Sequence, residues 1–198
     1  MDRPRIFAKN IRNLTDARYF AAMGVEYIGF DLAPNHADHI SLDILGKLKE
    51  WLEGPAIMGC FTGLESEETL TKYIVDGSLE GLYFEEVPDH SILDNFSSME
   101  LFTETTIEAF NEVALYPSLN VVVDLSHLKA IEAKKDQYAS AKDLMNKGRL
   151  YVKGAIDEAF FESAIFEDKP GLILMGGEEE KVGVKSFEEL DALFELIQ

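Results

Sequence analysis

The sequence is poor in several residue types at once. It has one cysteine, Cys60, one tryptophan and six prolines in 198 residues. A single cysteine excludes an internal disulfide framework and a multi-thiolate metal centre. Basic residues are scarce: 18 Lys plus Arg against 37 Asp plus Glu leave a net charge of −19. That charge repels phosphate backbones and anionic lipid surfaces, so neither nucleic acid nor a membrane is an expected partner. No stretch approaches the ~20 consecutive apolar residues of a membrane span. The opening MDRPRIFAKN has no apolar run of leader length, which makes a cytoplasmic location the expectation. Glycine-rich phosphate loops are also missing. Neither GxGxxG nor GxxxxGKS/T follows an apolar segment, which argues against a nucleotide-binding open sheet.

What is present is ordinary globular composition, 46% apolar and 28% charged, which places the chain among folded proteins. The length fits one domain, residues 1–198, with no linker or low-complexity tract to divide it. Apolar segments alternate with amphipathic ones. Strands are predicted near 5–10, 27–32, 56–61, 80–85, 99–103, 119–125, 150–155 and 171–175. AIMGCF, NVVVDL and GLILM are continuous apolar runs, the habit of strands buried on both faces of a parallel sheet. Between them lie helices with capping signals. Asn13 caps the first, with Asp16 in its first turn and Gly24 as its stop. Ser41 starts the second, and the third spans about 65–76. A short fourth is predicted at 89–97. Thr105 with Glu108 forms a capping box for the fifth. A Lys-rich sixth lies within 127–147, and a seventh starts at Asp157. Ser186 with Glu189 caps the last, whose Leu190, Leu193, Phe194 and Ile197 share one face. Eight strand–helix units predict an α/β fold, a single (β/α)8 TIM barrel, with a doubly wound open sheet as the alternative.

The opening segment is specific. Asn13-Leu14-Thr15-Asp16-Ala17-Arg18, then Gly24 through Tyr27-Ile28-Gly29-Phe30, then Ala33-Pro34 and Ile40-Ser41 resemble the phosphoribosylanthranilate isomerase family. Gly183-Val184-Lys185 near the C-terminus is similar to the same family. The resemblance implies a (β/α)8 barrel and an Amadori rearrangement in tryptophan biosynthesis. It also implies a base that takes a proton from the ribose and an acid that protonates the ring oxygen, with no cofactor and no metal. By that likeness Lys9 stands at the base position, where the family has a cysteine, and Asp124 stands at the acid position. Other family features are replaced: Tyr83-Phe84-Glu85-Glu86, Lys153-Gly154-Ala155 and Met175-Gly176-Gly177 stand where the family has its strand-end motifs. The stretch after Asp124 has no glycine-rich loop.

Barrel sites form at the C-terminal ends of the strands. The candidates there are Lys9 and Asp124 as catalytic residues. Asp31, Glu85, Lys153, Gly154, Gly176 and Gly177 are candidates for holding substrate. Asp31 suits a sugar hydroxyl. Lys153 and the three glycines suit a phosphate, through one ammonium and backbone N–H groups. Lys9 and Asp124 are expected within ion-pair or one-water reach of each other. His36 and His39 beside Asp31 and Asp38 have the residue types of a metal site, but no ligand motif supports one. The function implied is an isomerase-like barrel with a divergent site and weak or altered activity on a small phosphorylated substrate. The rival reading is a repurposed or non-catalytic barrel that binds another phosphorylated ligand or a protein.

Overall fold

The structure, a computed structural model, describes residues 3–106, 108–127, 135–154, 156, 158–162, 169–176 and 187–197. Eight parallel strands close on themselves in chain order. They are β1 Ile6–Lys9, β2 Tyr27–Asp31, β3 Ala56–Phe61, β4 Gly81–Phe84, β5 Glu100–Glu104, β6 Leu119–Asp124, β7 Leu150–Lys153 and β8 Gly171–Met175. The helices of the described residues are α1 Leu14–Ala22, α2 Leu42–Lys49, α3 Glu67–Gly77, α4 His90–Asn95, α5 Phe110–Val113, α6 Lys135–Asn146, α7 Glu158–Phe161 and α8 Glu188–Ile197. The ring closes between β1 and β8, where Lys9 pairs in register with Met175. This is the predicted (β/α)8 barrel; an open doubly wound sheet is excluded. None of the helices is long and apolar enough to cross a membrane.

Strand alternation sorts the core into two parts, because successive side chains point to opposite faces. Ile6, Ala8, Ile28, Phe30, Leu82, Phe84, Val121 and Val123 face out and pack against the helices. Phe7, Tyr27, Met58, Cys60, Tyr83, Phe102, Val122, Tyr151 and Ile173 face in and fill the barrel. The Phe102 ring sits about 5.0 Å from the rings of Phe7, Tyr27 and Tyr151, so aromatic side chains plug the centre. Gly29 makes room for that plug. A Cβ there would lie 2.6 Å from Phe7 Cε1 and 2.7 Å from Cys60 Sγ.

The helix starts follow their caps. Asn13 Oδ1 accepts the Asp16 N–H at 2.9 Å, and the hydroxyl oxygens of Ser41 and Ser66 accept the N–H groups of Ile44 and Thr69. The fifth helix departs from expectation. It covers only Phe110–Val113, and the Thr105–Glu108 capping box is not its start. Thr105 is buried at the end of β5, and its hydroxyl turns to the Thr106 carbonyl; Thr106 Oγ1 accepts the Ala109 N–H instead. At the closing seam, Tyr19 stacks on Phe187 with centroids 4.0 Å apart, and its hydroxyl donates to Asp191 at 2.7 Å. Phe194 and Ile197 of α8 are buried beneath that contact. Ser186, Asp157 and the Gly183–Lys185 stretch lie outside the described residues.

Candidate active site

The period-two alternation that fills the barrel also builds its mouth. Lys9 follows Phe7 by two residues, Asp31 follows Gly29, Glu85 follows Tyr83, Glu104 follows Phe102, Asp124 follows Val122, and Lys153 follows Tyr151. Each therefore continues an inward-facing row to the C-terminal end of its strand, where parallel strands place them together.

Lys9 is 6% exposed. Its ammonium donates to Glu85 Oε1 at 2.5 Å and lies 3.9 Å from Glu104 Oε1. The Tyr83 ring centre is 4.9 Å away, a cation–π distance. Glu104 then reaches the other lysine: its Oε2 accepts a hydrogen bond from Lys153, and its Oε1 accepts the Tyr83 hydroxyl at 2.7 Å. Glu85, Lys9, Glu104 and Lys153 thus alternate in charge across the mouth, and their charges cancel. Asp31 and Asp124 are left over, so the mouth is acidic.

These contacts set the protonation states. Burial alone lowers the Lys9 pKa, but the thiol of Cys60 in its ionised form, the Glu85 hydrogen bond and the charges of Glu85 and Asp31 outweigh it and raise the pKa. Cys60 is fully buried and its own pKa is pushed well up by burial, so it is a neutral thiol near pH 7. The carboxylates therefore hold the Lys9 proton at that pH. Burial raises the Glu85 pKa, yet Lys9 overrides this and the net shift is down. Asp31 goes the other way: burial raises its pKa more than Lys9 and His36 lower it. Its Oδ2 is buried without a hydrogen-bond partner. Asp124 is lowered, first by Ser126, whose hydroxyl and N–H donate to Oδ1 at 2.5 and 2.8 Å.

The expected Lys9–Asp124 ion pair is not among the contacts of the described residues. Lys9 turns to Glu85 and Glu104, while Asp124 caps the turn that starts at Leu125. The expected phosphate cradle is also altered. The Gly176 N–H donates to the Lys9 carbonyl at 2.7 Å, and the Lys153 ammonium is engaged by Glu104. Gly154 has φ 113° and faces Asp124, whose Oδ2 lies 3.1 Å from where a Cβ would sit. Gly177 lies outside the described residues. A cleft of about 720 Å³ opens beside these groups, walled by Glu85, Glu86, Glu104, Thr105, Asp124, Ser126, His127 and Lys153.

Sequence reasoning left Tyr83, Ser126 and His127 out of the site. Glu104 is among the polar residues that the strand ends place at the mouth, and Tyr83 was legible, since it shares the inward row of Glu85. Ser126 and His127 sit on the turn after β6, where no motif singles them out. His36 was noticed, but its partner Glu85 lies 49 positions away in sequence.

Fold and mouth together define the class: a closed parallel barrel with convergent titratable groups at the strand ends, the layout of barrel enzymes. No family profile and no curated protein sequence matches the chain. Solved structures do. Over 97% of each chain the protein is similar to phosphoribosyl anthranilate isomerase from Thermus thermophilus, with 26% identity and a TM-score of 0.74. The isomerase from Thermotoga maritima shares 16% identity over 98% of each chain, with a TM-score of 0.76. A citrate synthase variant also matches at 13% identity and a TM-score of 0.60, which reflects the barrel alone. The resemblance to the phosphoribosylanthranilate isomerase family thus extends over the whole barrel and beyond the two end segments.

Proposed function

We propose that the chain is a phosphoribosylanthranilate isomerase-like barrel whose mouth binds a small molecule and whose turnover of the family substrate is absent or very weak. The observation that carries this is the Lys9–Glu85 ion pair at 2.5 Å. The rearrangement needs a deprotonated group at the position of Lys9 and a protonated one at Asp124. Here Lys9 is kept charged by its carboxylates, and Asp124 is kept ionised by Ser126. Both positions therefore hold the opposite protonation state. A general base works best with a pKa near the operating pH, and a shift upward takes Lys9 further from it.

The cleft volume of about 720 Å³ is in the range of small-molecule pockets. Its wall is rich in acceptors: Glu85, Glu86, Glu104 and Asp124 against the ammonium of Lys153. Hydroxyl and amine donors suit those acceptors, as the ribose part of a phosphosugar would. The Lys153 ammonium would meet a phosphate by leaving Glu104. Turnover of freshly generated phosphoribosylanthranilate by purified protein tests the reading, with growth of a tryptophan auxotroph lacking its isomerase as a second readout. The expected result is no growth and a rate far below ~1 s⁻¹, the lower end of common enzyme turnover. A rate at or above that value, lost in Lys9→Ala, overturns it and makes Lys9 a working base.

A further inference from the structure

We propose that Asp31, His36 and Glu85 form a binding site for a divalent first-row transition cation, zinc fitting best, and that the Lys9 ammonium competes with the cation for Glu85. The inference rests on the mouth being the ligand site. It adds a cation that the family resemblance does not imply.

Three segments bring the donors together. Asp31 ends β2, His36 lies in the loop that follows, and Glu85 follows β4. One ligand atom from each lies within 4.8 Å of the other two. His36 Nε2 is 3.3 Å from Glu85 Oε1, and His36 Nδ1 is 3.8 Å from Asp31 Oδ1. Zinc bonds of about 2.0–2.1 Å put tetrahedral ligand atoms roughly 3.4 Å apart, so the His36 Nε2–Glu85 Oε1 edge already has that length, whereas the Asp31 contact is to the other ring nitrogen and Asp31 must turn toward Nε2 to join the shell.

A second observation points to a ligand independently of this proximity. Asp31 is 2% exposed, and its Oδ2 has no hydrogen-bond partner. A buried carboxylate oxygen without a donor is costly. The oxygen nearer His36 is Oδ1, so a cation held by both carboxylate oxygens would satisfy Oδ2 as well. The donor set selects the ion class. Magnesium and calcium favour all-oxygen shells, whereas an imidazole with carboxylates suits zinc and its neighbours. Three protein ligands leave a fourth position open to water or substrate.

The neighbours fix the terms of binding. The Asp38 N–H donates to His36 Nδ1 at 3.2 Å, which leaves the Nε2 proton pointing at Glu85. Coordination through Nε2 moves that proton to Nδ1 and gives up this long hydrogen bond. The Asp38 carboxylate is held by Arg12 at 2.6 Å, and His39 is exposed, so these two residues of the sequence cluster stay outside the site. Lys9 already neutralises Glu85 Oε1. Its removal leaves two carboxylates and one imidazole with no competing cation.

The test is equilibrium dialysis of the full chain against zinc at 0.15 M salt, with visible absorption of the cobalt-loaded protein as a reporter of a defined coordination shell. One equivalent is expected. Asp31→Asn and His36→Ala should each weaken binding at least tenfold, Lys9→Met should tighten it, and His39→Ala should leave it unchanged. Far-UV circular dichroism confirms that each variant is folded; the near-isosteric Asp31→Asn keeps the test valid if His36→Ala is not. Failure of the wild-type chain to hold one equivalent, or equal binding in Asp31→Asn, overturns the site. Equal binding in Lys9→Met overturns the competition. None of these readouts involves phosphoribosylanthranilate turnover, so the two readings fail separately.

Discussion

Glu85 Oε1 accepts the Lys9 ammonium at 2.5 Å while the Tyr83 ring faces the same ammonium at 4.9 Å, so one buried cation is held by charge and by a π face together. Glu85→Gln removes the charge and keeps the shape. A hydrogen bond to a charged group contributes about 1.5–3 kcal/mol. Glu104 at 3.9 Å softens the loss, which favours the lower half of that range. The sign with pH follows from Glu85, whose folded pKa is lowered. Its contribution is present above the unfolded carboxylate pKa and fades as pH falls through the folded value. Urea unfolding of wild type and variant should therefore differ at pH 7 and converge in acid. Equal midpoints at pH 7 would show that the ion pair contributes nothing.

Cys60 is expected to be unreactive in the native protein. It is 1% exposed, lies on the inner face of β3, and burial pushes its thiol pKa well up. Thiolate is the reactive form, and both access and ionisation are denied here. Ellman's reagent should find no thiol in the folded chain and one per chain in urea. Rapid labelling of native protein would mean that the barrel interior opens to solvent at β3.

The barrel was legible because its signals are local and repeated. Each strand is a short apolar run, and Asn13, Ser41 and Ser66 cap helices by contacts within three residues. Placing Lys9, Asp31, Glu85, Asp124 and Lys153 at strand ends needed only the strand boundaries. Which of them touch did not follow. Lys9 and Glu85 are 76 residues apart, and Lys153 and Glu104 are 49 apart. Their meeting depends on side-chain reach across the barrel, which sequence spacing does not encode. Likeness to the family pointed Lys9 at Asp124, but Asp124 found a nearer donor in Ser126, two residues along its own chain. The short α5 failed for a similar reason: Thr105 is buried at the end of its strand, and burial overrode its capping preference.

Gly29→Ala tests the aromatic plug. The added methyl would sit 2.6 Å from Phe7 Cε1 and 2.7 Å from Cys60 Sγ. Phe7 cannot easily give way, because Tyr83 and Phe102 lie within 5.1 and 5.0 Å of its ring centre. Overpacking of this kind costs about 1–3 kcal/mol. For a chain of this size each kcal/mol lowers Tm by roughly 2–4 °C. Calorimetry should show a drop of that order. An unchanged Tm would mean that the inner rings are loosely packed.

Asp31→Asn should stabilise the protein at neutral pH. The folded pKa of Asp31 is raised, chiefly by burial, against the opposing pull of Lys9 and His36. A carboxyl group with a raised folded pKa contributes its stability below the unfolded value and loses it as pH rises through the folded one. Above its folded pKa the wild-type side chain is a buried charge with one oxygen, Oδ2, that has no donor. Asparagine removes the charge at nearly the same volume. Relief of such a site commonly yields about 0.5–2 kcal/mol, a rise in Tm of roughly 2–4 °C per kcal/mol. The gain should shrink as pH falls toward the carboxylate range, because the wild-type side chain is then protonated as well. Melting curves from pH 7 to pH 4, run with a chelator so that no cation occupies the cluster, provide the measurement. A variant less stable than wild type at pH 7 in chelator would mean that Lys9 and His36 stabilise the Asp31 charge by more than its burial costs, and would reverse the order of effects assigned to this carboxylate.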